Sequence, residues 1–233
     1  MAALERELRD LAKISRRVER EYEGRKFIFF EHAETVAVCA GIGLEPARRA
    51  AEAVIALYHP AQLVSVGFAG ALLPHLRVGD IFSPAAVIDA RDGSRIMIEG
   101  GVGTLITFMA VASPEQKEKL AQAYGAQAVD MEAAAVAAAA RAHGIRFTAT
   151  KVISDGLDFE MPETASFIDA HGRFRTASFG VYAAVRPWLW LRVAHLASNT
   201  RKAARILGDY LTRSRQPLNE AFEAKSTEIS SNS

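Results

Sequence analysis

Residues 126–156 read AQAVDMEAAAVAAAARAHGIRFTATKVISDG. The run Ala126 to Val129 is strand-like, and the alanine-rich stretch from Met131 to His143 is closed by Gly144. A second run, Phe147 to Ile153, is rich in β-formers and ends at a Ser154-Asp155-Gly156 corner. Alanine has the highest helix propensity, and glycine is the usual residue just past a helix end. A helix of about 10–15 residues between two strands predicts a βαβ unit and an α/β fold.

Upstream, Leu4, Leu8, Leu11 and Ile14 fall at helical spacing, and residues 2–23 are expected to form an amphipathic helix. Phe27 to Phe30 and Thr35 to Ala40 read as two strands around a turn. Gly41-Ile42-Gly43 then leads into a helix from Glu45 to Tyr58. Leu63 to Val66 is a short apolar run ending in Gly67-Phe68-Ala69-Gly70. Val78 to Phe82, Ala86 to Ala90 and Leu105 to Val111 are further strand candidates. Ser113-Pro114-Glu115-Gln116 carries a cap and a first-turn proline, so a helix is expected there. Residues 156–175 read as loop, and Thr176 to Tyr210 as helix broken near Pro187. These elements predict one domain over residues 1–212 with a mixed sheet. The polar tail, 213–233, is expected to be disordered.

Composition narrows the function. Lys and Arg number 28 against 27 Asp and Glu, a net charge of +1. That balance offers no electrostatic case for nucleic acid as the main partner. The single cysteine, Cys39, rules out an intrachain disulfide. The six histidines show no metal-ligand spacing, so neither metal nor cofactor is expected. The charged start lacks the character of a signal peptide, no apolar run approaches membrane-spanning length, and a cytoplasmic location follows as the expectation.

In open α/β sheets ligands bind beyond the carboxyl ends of strands. That rule selects the Gly41 loop, the Gly67–Gly70 loop, the Met131-Glu132 corner and the Ser154-Asp155 corner. Gly41-Ile42-Gly43 lacks the third glycine of a dinucleotide fingerprint, Pro46 standing in its place, and reads either as an anion pocket or as an ordinary tight turn. Alone, Glu132 is a good helix-start residue and Asp155 a turn residue. Together they leave adjacent strands at one sheet edge, where different surroundings separate carboxyl pKa values. Phe68, Phe108 and Phe159 read first as core aromatics. The run from Trp188 to Leu196 reads as the buried side of a helix, or else as an apolar substrate wall or interfacial surface.

Three segments together resemble the nucleoside phosphorylase and nucleosidase superfamily. They are Val64 to Leu72 continuing to Val78-Gly79-Asp80-Ile81, Val129-Asp130-Met131-Glu132-Ala133 with its alanine-rich helix, and Ile153-Ser154-Asp155. Gly41-Ile42-Gly43 fits the superfamily's first glycine loop. The likeness covers roughly residues 2–212, and Asp155 to Leu211 looks most like the hopanoid-associated phosphorylase subgroup. The resemblance implies a three-layer αβα sandwich around a mixed sheet. It also implies cleavage of the bond between ribose C1′ and a purine nitrogen, by phosphate or, in the nucleosidases, by water. The subgroup implies an adenosyl-hopane lipid as substrate. A non-catalytic nucleoside-binding or lipid-associated protein is the reading from a different class.

The resemblance assigns Asp155 to the purine as hydrogen-bonding acid and Glu132 to the ribose and its developing positive charge. Glu7 becomes the candidate water-activating glutamate. Met131 is expected under the ribose, and Phe108, Ala69, Gly70 and Ser154 around the base. Gly41, Gly43 and Arg48 are expected to hold phosphate. A homo-oligomer and peripheral membrane or lipid contact through 188–196 complete the expectations. Three departures stand out. The chain starts almost inside the family's acidic N-terminal motif, Thr107-Phe108 replaces the nucleosidases' Ser-Gly-Asp-x-Phe stretch, and the phosphorylases' full arginine and serine set is not found.

Overall fold

The computed structural model describes residues 1–160, 165–169 and 172–213. After a 3-10 turn at Glu5–Glu7 come α1 (Arg9–Lys13), β1 (Arg16–Tyr22), β2 (Arg25–His32) and β3 (Thr35–Val38). Next are α2 (Leu44–Tyr58), β4 (Gln62–Ala71), β5 (Ile81–Phe82), β6 (Ala86–Asp89), β7 (Arg95–Met97) and β8 (Thr104–Thr107). The chain continues with α3 (Pro114–Tyr124), β9 (Ala128–Asp130), α4 (Ala133–Ala142) and β10 (Arg146–Asp155). It closes with α5 (Thr176–Ala184) and α6 (Trp190–Arg213).

Seven strands form a mixed sheet in the order β5-β10-β4-β9-β8-β6-β7. β10 runs parallel to β4 from Arg146 against Gln62 to Asp155 against Gly70. This long pairing makes Gly67–Gly70, expected as a loop, part of β4 and brings it and the Ser154-Asp155 corner to the same edge. β8 runs parallel to both β6 and β9, whereas β4 meets β9 antiparallel at Gly70 and Ala71. The predicted mixed α/β sheet is therefore observed, but the expected βαβ unit is corrected: β4 stands between β9 and β10, antiparallel to the first and parallel to the second, so the strands flanking α4 are not neighbours.

Helix α4 uses alanine to approach closely. Seven of its ten residues are buried, and they pack against α2 on one side and the sheet on the other. On the opposite face, Ala203 and Leu207 of α6 join Leu8 and Leu11 against Val66 and Val152. The αβα layering expected from the family resemblance follows from these two packed faces. The predicted cap of α3 forms as a reciprocal pair: Ser113 Oγ accepts from the Gln116 amide while Gln116 Oε1 accepts from the Ser113 amide.

The expected helix over residues 2–23 is corrected. Leu8 and Leu11 are buried, as helical spacing predicts, but the helix stops at Lys13 and residues 16–22 form β1. A three-stranded antiparallel sheet, β1-β2-β3, takes up that segment. Its cross-strand ion pairs, Arg16 with Glu31 and Lys26 with Glu19, explain why a charge-rich segment pairs as a strand. Residues Met1 to Ala3 stitch the sheets together: the Val66 amide donates to Met1 O, the Ala2 amide to Val38 O and the Ala40 amide to Ala2 O. The expected strand at Val78–Phe82 shrinks to Ile81–Phe82, and β7 was not foreseen. The expected 156–175 loop contains a 3-10 turn at Ala165–Phe167. Residues 214–233 of the expected tail lie outside the described residues.

Candidate active site

A cavity of about 380 Å³ opens at the carboxyl ends of β4, β9 and β10. Its polar floor contains Glu7, Asp130, Glu132, Ser154, Asp155 and Lys117. Phe68, Ile168, Phe174, Phe179, Val193 and Leu196 supply apolar wall. A concave apolar site with a few convergent polar groups is the usual form of a small-molecule site.

One group of charges gathers around Lys151. This lysine, 1% exposed, points from the middle of β10 to Asp130 Oδ2 at 2.8 Å and Ser65 Oγ at 3.1 Å. Asp130 is held by two further donors, Thr107 Oγ1 and the Ala133 amide, and Thr107 in turn accepts from the Ala134 amide. Asp130 thus stabilises the amide end of α4, where a carboxylate is favoured. Burial alone would lower the Lys151 pKa, but the surrounding Asp130, Glu132 and Glu7 raise it, so the ammonium persists.

Glu132 follows Asp130 by two residues and turns into the cavity. Its Oε1 accepts from the Gly43 amide at 2.9 Å. Burial first, then the Asp130 carboxylate, push its pKa up to about 8. Glu7 is also buried, and its Oε2 accepts from the Ala3 and Leu4 amides at 2.8 and 3.0 Å. Burial raises its pKa against those hydrogen bonds and the Lys151 charge. Desolvation favours the neutral carboxyl, so both glutamates are held where they exchange protons nearer neutral pH than an exposed glutamate does.

A second group sits at the end of β10. Asp155 Oδ1 accepts from Ser154 Oγ at 2.7 Å, and Asp155 Oδ2 accepts from Lys117 Nζ at 2.5 Å. Lys117 also donates to Gly156 O at 2.6 Å. Its side chain is 2% exposed, on the inward side of α3.

The structure brings Glu7, Glu132, Asp155, Ser154, Met131, Ala69 and Gly70 to one cavity. It leaves four expected residues, Phe108, Arg48, Gly41 and Gly43, outside the cavity lining. Phe108 packs into the cluster of Leu72, Ile88, Ile106 and Leu120, and the cavity aromatics are Phe68, Phe174 and Phe179. Arg48 is exposed on α2 and clasps Glu45 through two hydrogen bonds, away from the cavity. Gly41 lines a neighbouring cavity with Arg6, Arg25 and Arg173. The amides of the Gly41–Gly43 loop are all occupied: Gly41 N donates to Ala3 O, Ile42 N to Gly172 O and Gly43 N to Glu132. Sequence reasoning missed Lys117, Lys151 and the structural role of Asp130. Lys151 had a signal, a lone lysine inside the apolar run Phe147 to Ile153. Lys117 had none, because a lysine on a polar helix ordinarily faces solvent.

An α/β protein with paired buried carboxylates at the carboxyl edge of a mixed sheet is the class that fold and site define. Within that class the chain belongs to the phosphorylase superfamily, whose family model matches residues 1–102 and 97–185. No curated protein matches it in sequence. Solved structures share the fold at low identity. A 5′-methylthioadenosine/S-adenosylhomocysteine nucleosidase of Helicobacter pylori aligns with a TM-score of 0.68 at 18% identity, over 91% of this chain and 94% of that one. The futalosine hydrolase of Helicobacter pylori strain 26695 aligns with a TM-score of 0.67 at 17% identity, over 91% and 93%. An S-adenosylhomocysteine nucleosidase of Streptococcus pyogenes gives 0.63 at 19% identity, over 90% and 93%. Among the described residues, no helix is long and apolar enough to cross a membrane.

Proposed function

We propose that the protein cleaves the N-glycosidic bond of an adenosine-type nucleoside, with water as the nucleophile. Superfamily membership supports nucleoside cleavage in general. The observation that favours water over phosphate is the Gly41–Gly43 loop. Its three amides already have acceptors within the protein, and Arg48 is held by Glu45 outside the cavity. Glu7, by contrast, stands buried in the cavity wall with Oε2 fixed by two amides. In this reading Glu7 takes a proton from the attacking water. Ionised Glu132 accepts from ribose hydroxyls and stabilises the oxocarbenium-like transition state. Met131 packs under the ribose, and Asp155 and Ser154 meet the purine.

Phosphorolysis is the second reading, favoured by the neighbouring cavity. Arg6, Arg25 and Arg173 gather there beside Gly41. The two readings separate in one assay: adenine release from adenosine and from a 5′-alkylated adenosine, each with and without phosphate. Hydrolysis predicts release in phosphate-free buffer, cut about 100-fold by Glu7→Gln, the usual scale of a lost general base. Release that requires phosphate would overturn it.

The 5′ substituent is proposed to be large and apolar, as in an adenosyl-hopane-like lipid. Val193, Leu196 and Ala197 of α6 face the cavity together with Phe179 of α5. The same two helices expose Val181, Trp190 and Leu191 outward, next to Val185 and Trp188 of the connection between them. An apolar wall thus continues to an apolar surface, which fits an amphiphilic substrate taken from a lipid phase.

A further inference from the structure

Lys117 has no role in the chemistry described so far, although among the described residues it is the one cation placed directly against the purine-end carboxylate. It is buried at the cavity wall, with Nζ 2.5 Å from Asp155 Oδ2 and 2.6 Å from Gly156 O. Gly70 makes room for the pair. A Cβ there would lie 2.9 Å from Asp155 Oδ2 and 3.3 Å from Lys117 Cε. An ammonium has three N–H donors. Two are used, and among the described residues the third has no acceptor. Both oxygens of Asp155 already accept, Oδ2 from Lys117 and Oδ1 from Ser154.

We propose that the Lys117 ammonium, not the Asp155 carboxyl, is the proton donor to the departing purine, and that the Lys117–Asp155 pair reads a 6-aminopurine. This rests on the nucleosidase reading above. A donor beside an acceptor complements N7 and the 6-amino group of adenine. A 6-oxopurine would set its O6 lone pairs against the carboxylate. In the reaction the C1′–N9 bond breaks, and its electron pair enters the purine. N7 becomes basic as that happens and takes a proton from Lys117 Nζ, leaving a neutral amine. Water forms the new C1′–O bond and gives a proton to Glu7. After the purine leaves, Lys117 regains a proton from solvent, and Glu7 returns one to it.

The test compares two leaving groups in the full-length protein. Adenine leaves poorly without protonation, whereas p-nitrophenolate needs no proton. Lys117→Arg keeps the charge and the partner of Asp155, but a guanidinium does not give up its proton. Adenine release from adenosine should fall about 100-fold, and p-nitrophenol release from p-nitrophenyl β-D-riboside at least tenfold less than that. The neutral pair Lys117→Met with Asp155→Asn, which leaves no buried charge unpaired, should show the same selective loss. Wild-type protein should cleave adenosine in preference to inosine. Adenine release at the wild-type rate from the arginine variant would overturn the donor role. So would equal losses on both substrates in both variants, which mark a positioning residue. Equal cleavage of inosine would overturn the 6-amino selection. If wild-type protein released neither adenine nor p-nitrophenol, the glycosidic reading itself would fail, and this proposal with it.

Discussion

Glu132 shows how one side chain ties stability to activity. Its pKa is pushed from 4.5 to about 8, first by burial and then by Asp130. The folded chain therefore holds a proton that the unfolded chain releases near 4.5. Between about pH 5 and pH 8 the native state binds more protons, so stability falls as pH rises through that window. The proposed chemistry needs Glu132 ionised, so activity should rise over the same range. Glu132→Gln removes this titration. Thermal unfolding between pH 5 and pH 8.5 should show a flatter decline for the variant than for the wild type; parallel curves would refute the argument. Glu132 and Asp155 were legible in the sequence as a pair of carboxylates at one sheet edge, whereas Glu7 was reached only through the family resemblance. Their partners were not legible. The charge of Lys151 is compensated by Asp130, a residue 21 positions earlier that only the strand register brings near.

At the scale of elements, β4 was legible only in part. Leu63 to Val66 reads as a strand, but pairing with β10 extends it through the glycines to Ala71. Gly67 is the position where the extension depends on residue type. Its φ is +145°, and a Cβ there would stand 3.0 Å from Glu7 Oε2. Gly67→Ala thus strains the strand and presses on the proposed base together. A strain of about 1–3 kcal/mol is expected, a fall in midpoint of roughly 2–12 °C for a chain of this length. Adenine release should drop further than stability explains, at least about tenfold, because a displaced base is misaligned. A normal rate in the folded variant would separate Glu7 from the chemistry. The first helix misled for a related reason. Residues 16–22 are mostly exposed as β1, so no alternation of apolar residues marks them. Their strand state comes from the partners Glu31 and Lys26 across β2.

Over the whole molecule, a net charge of +1 conceals a polarity. Residues 172–213 carry eight Lys or Arg and a single acid, Asp209, so the rest of the chain is net acidic. The basic segment is also where the large exposed apolar side chains gather: Trp188 is 71% exposed and Leu191 76%. The sequence run from Trp188 to Leu196 left a buried helix face, a substrate wall and a surface all open. Helix geometry divides it, with Val193 and Leu196 toward the cavity and Trp188 and Leu191 toward solvent. Tryptophan and leucine beside Arg186 and Arg192 suit the interface of an anionic bilayer, where apolar rings enter the headgroup layer and basic side chains meet lipid charge. The protein should therefore float with vesicles containing phosphatidylserine and much less with pure phosphatidylcholine. Binding should weaken as salt rises. Trp188→Glu with Leu191→Glu should abolish flotation while leaving cleavage of water-soluble adenosine within about twofold, since neither side chain lines the cavity. A wild-type protein that stays at the bottom of the gradient would dismiss the bilayer as occupant. If it instead sedimented as an oligomer that the same substitutions dissociate, a second copy of the chain would cover this face.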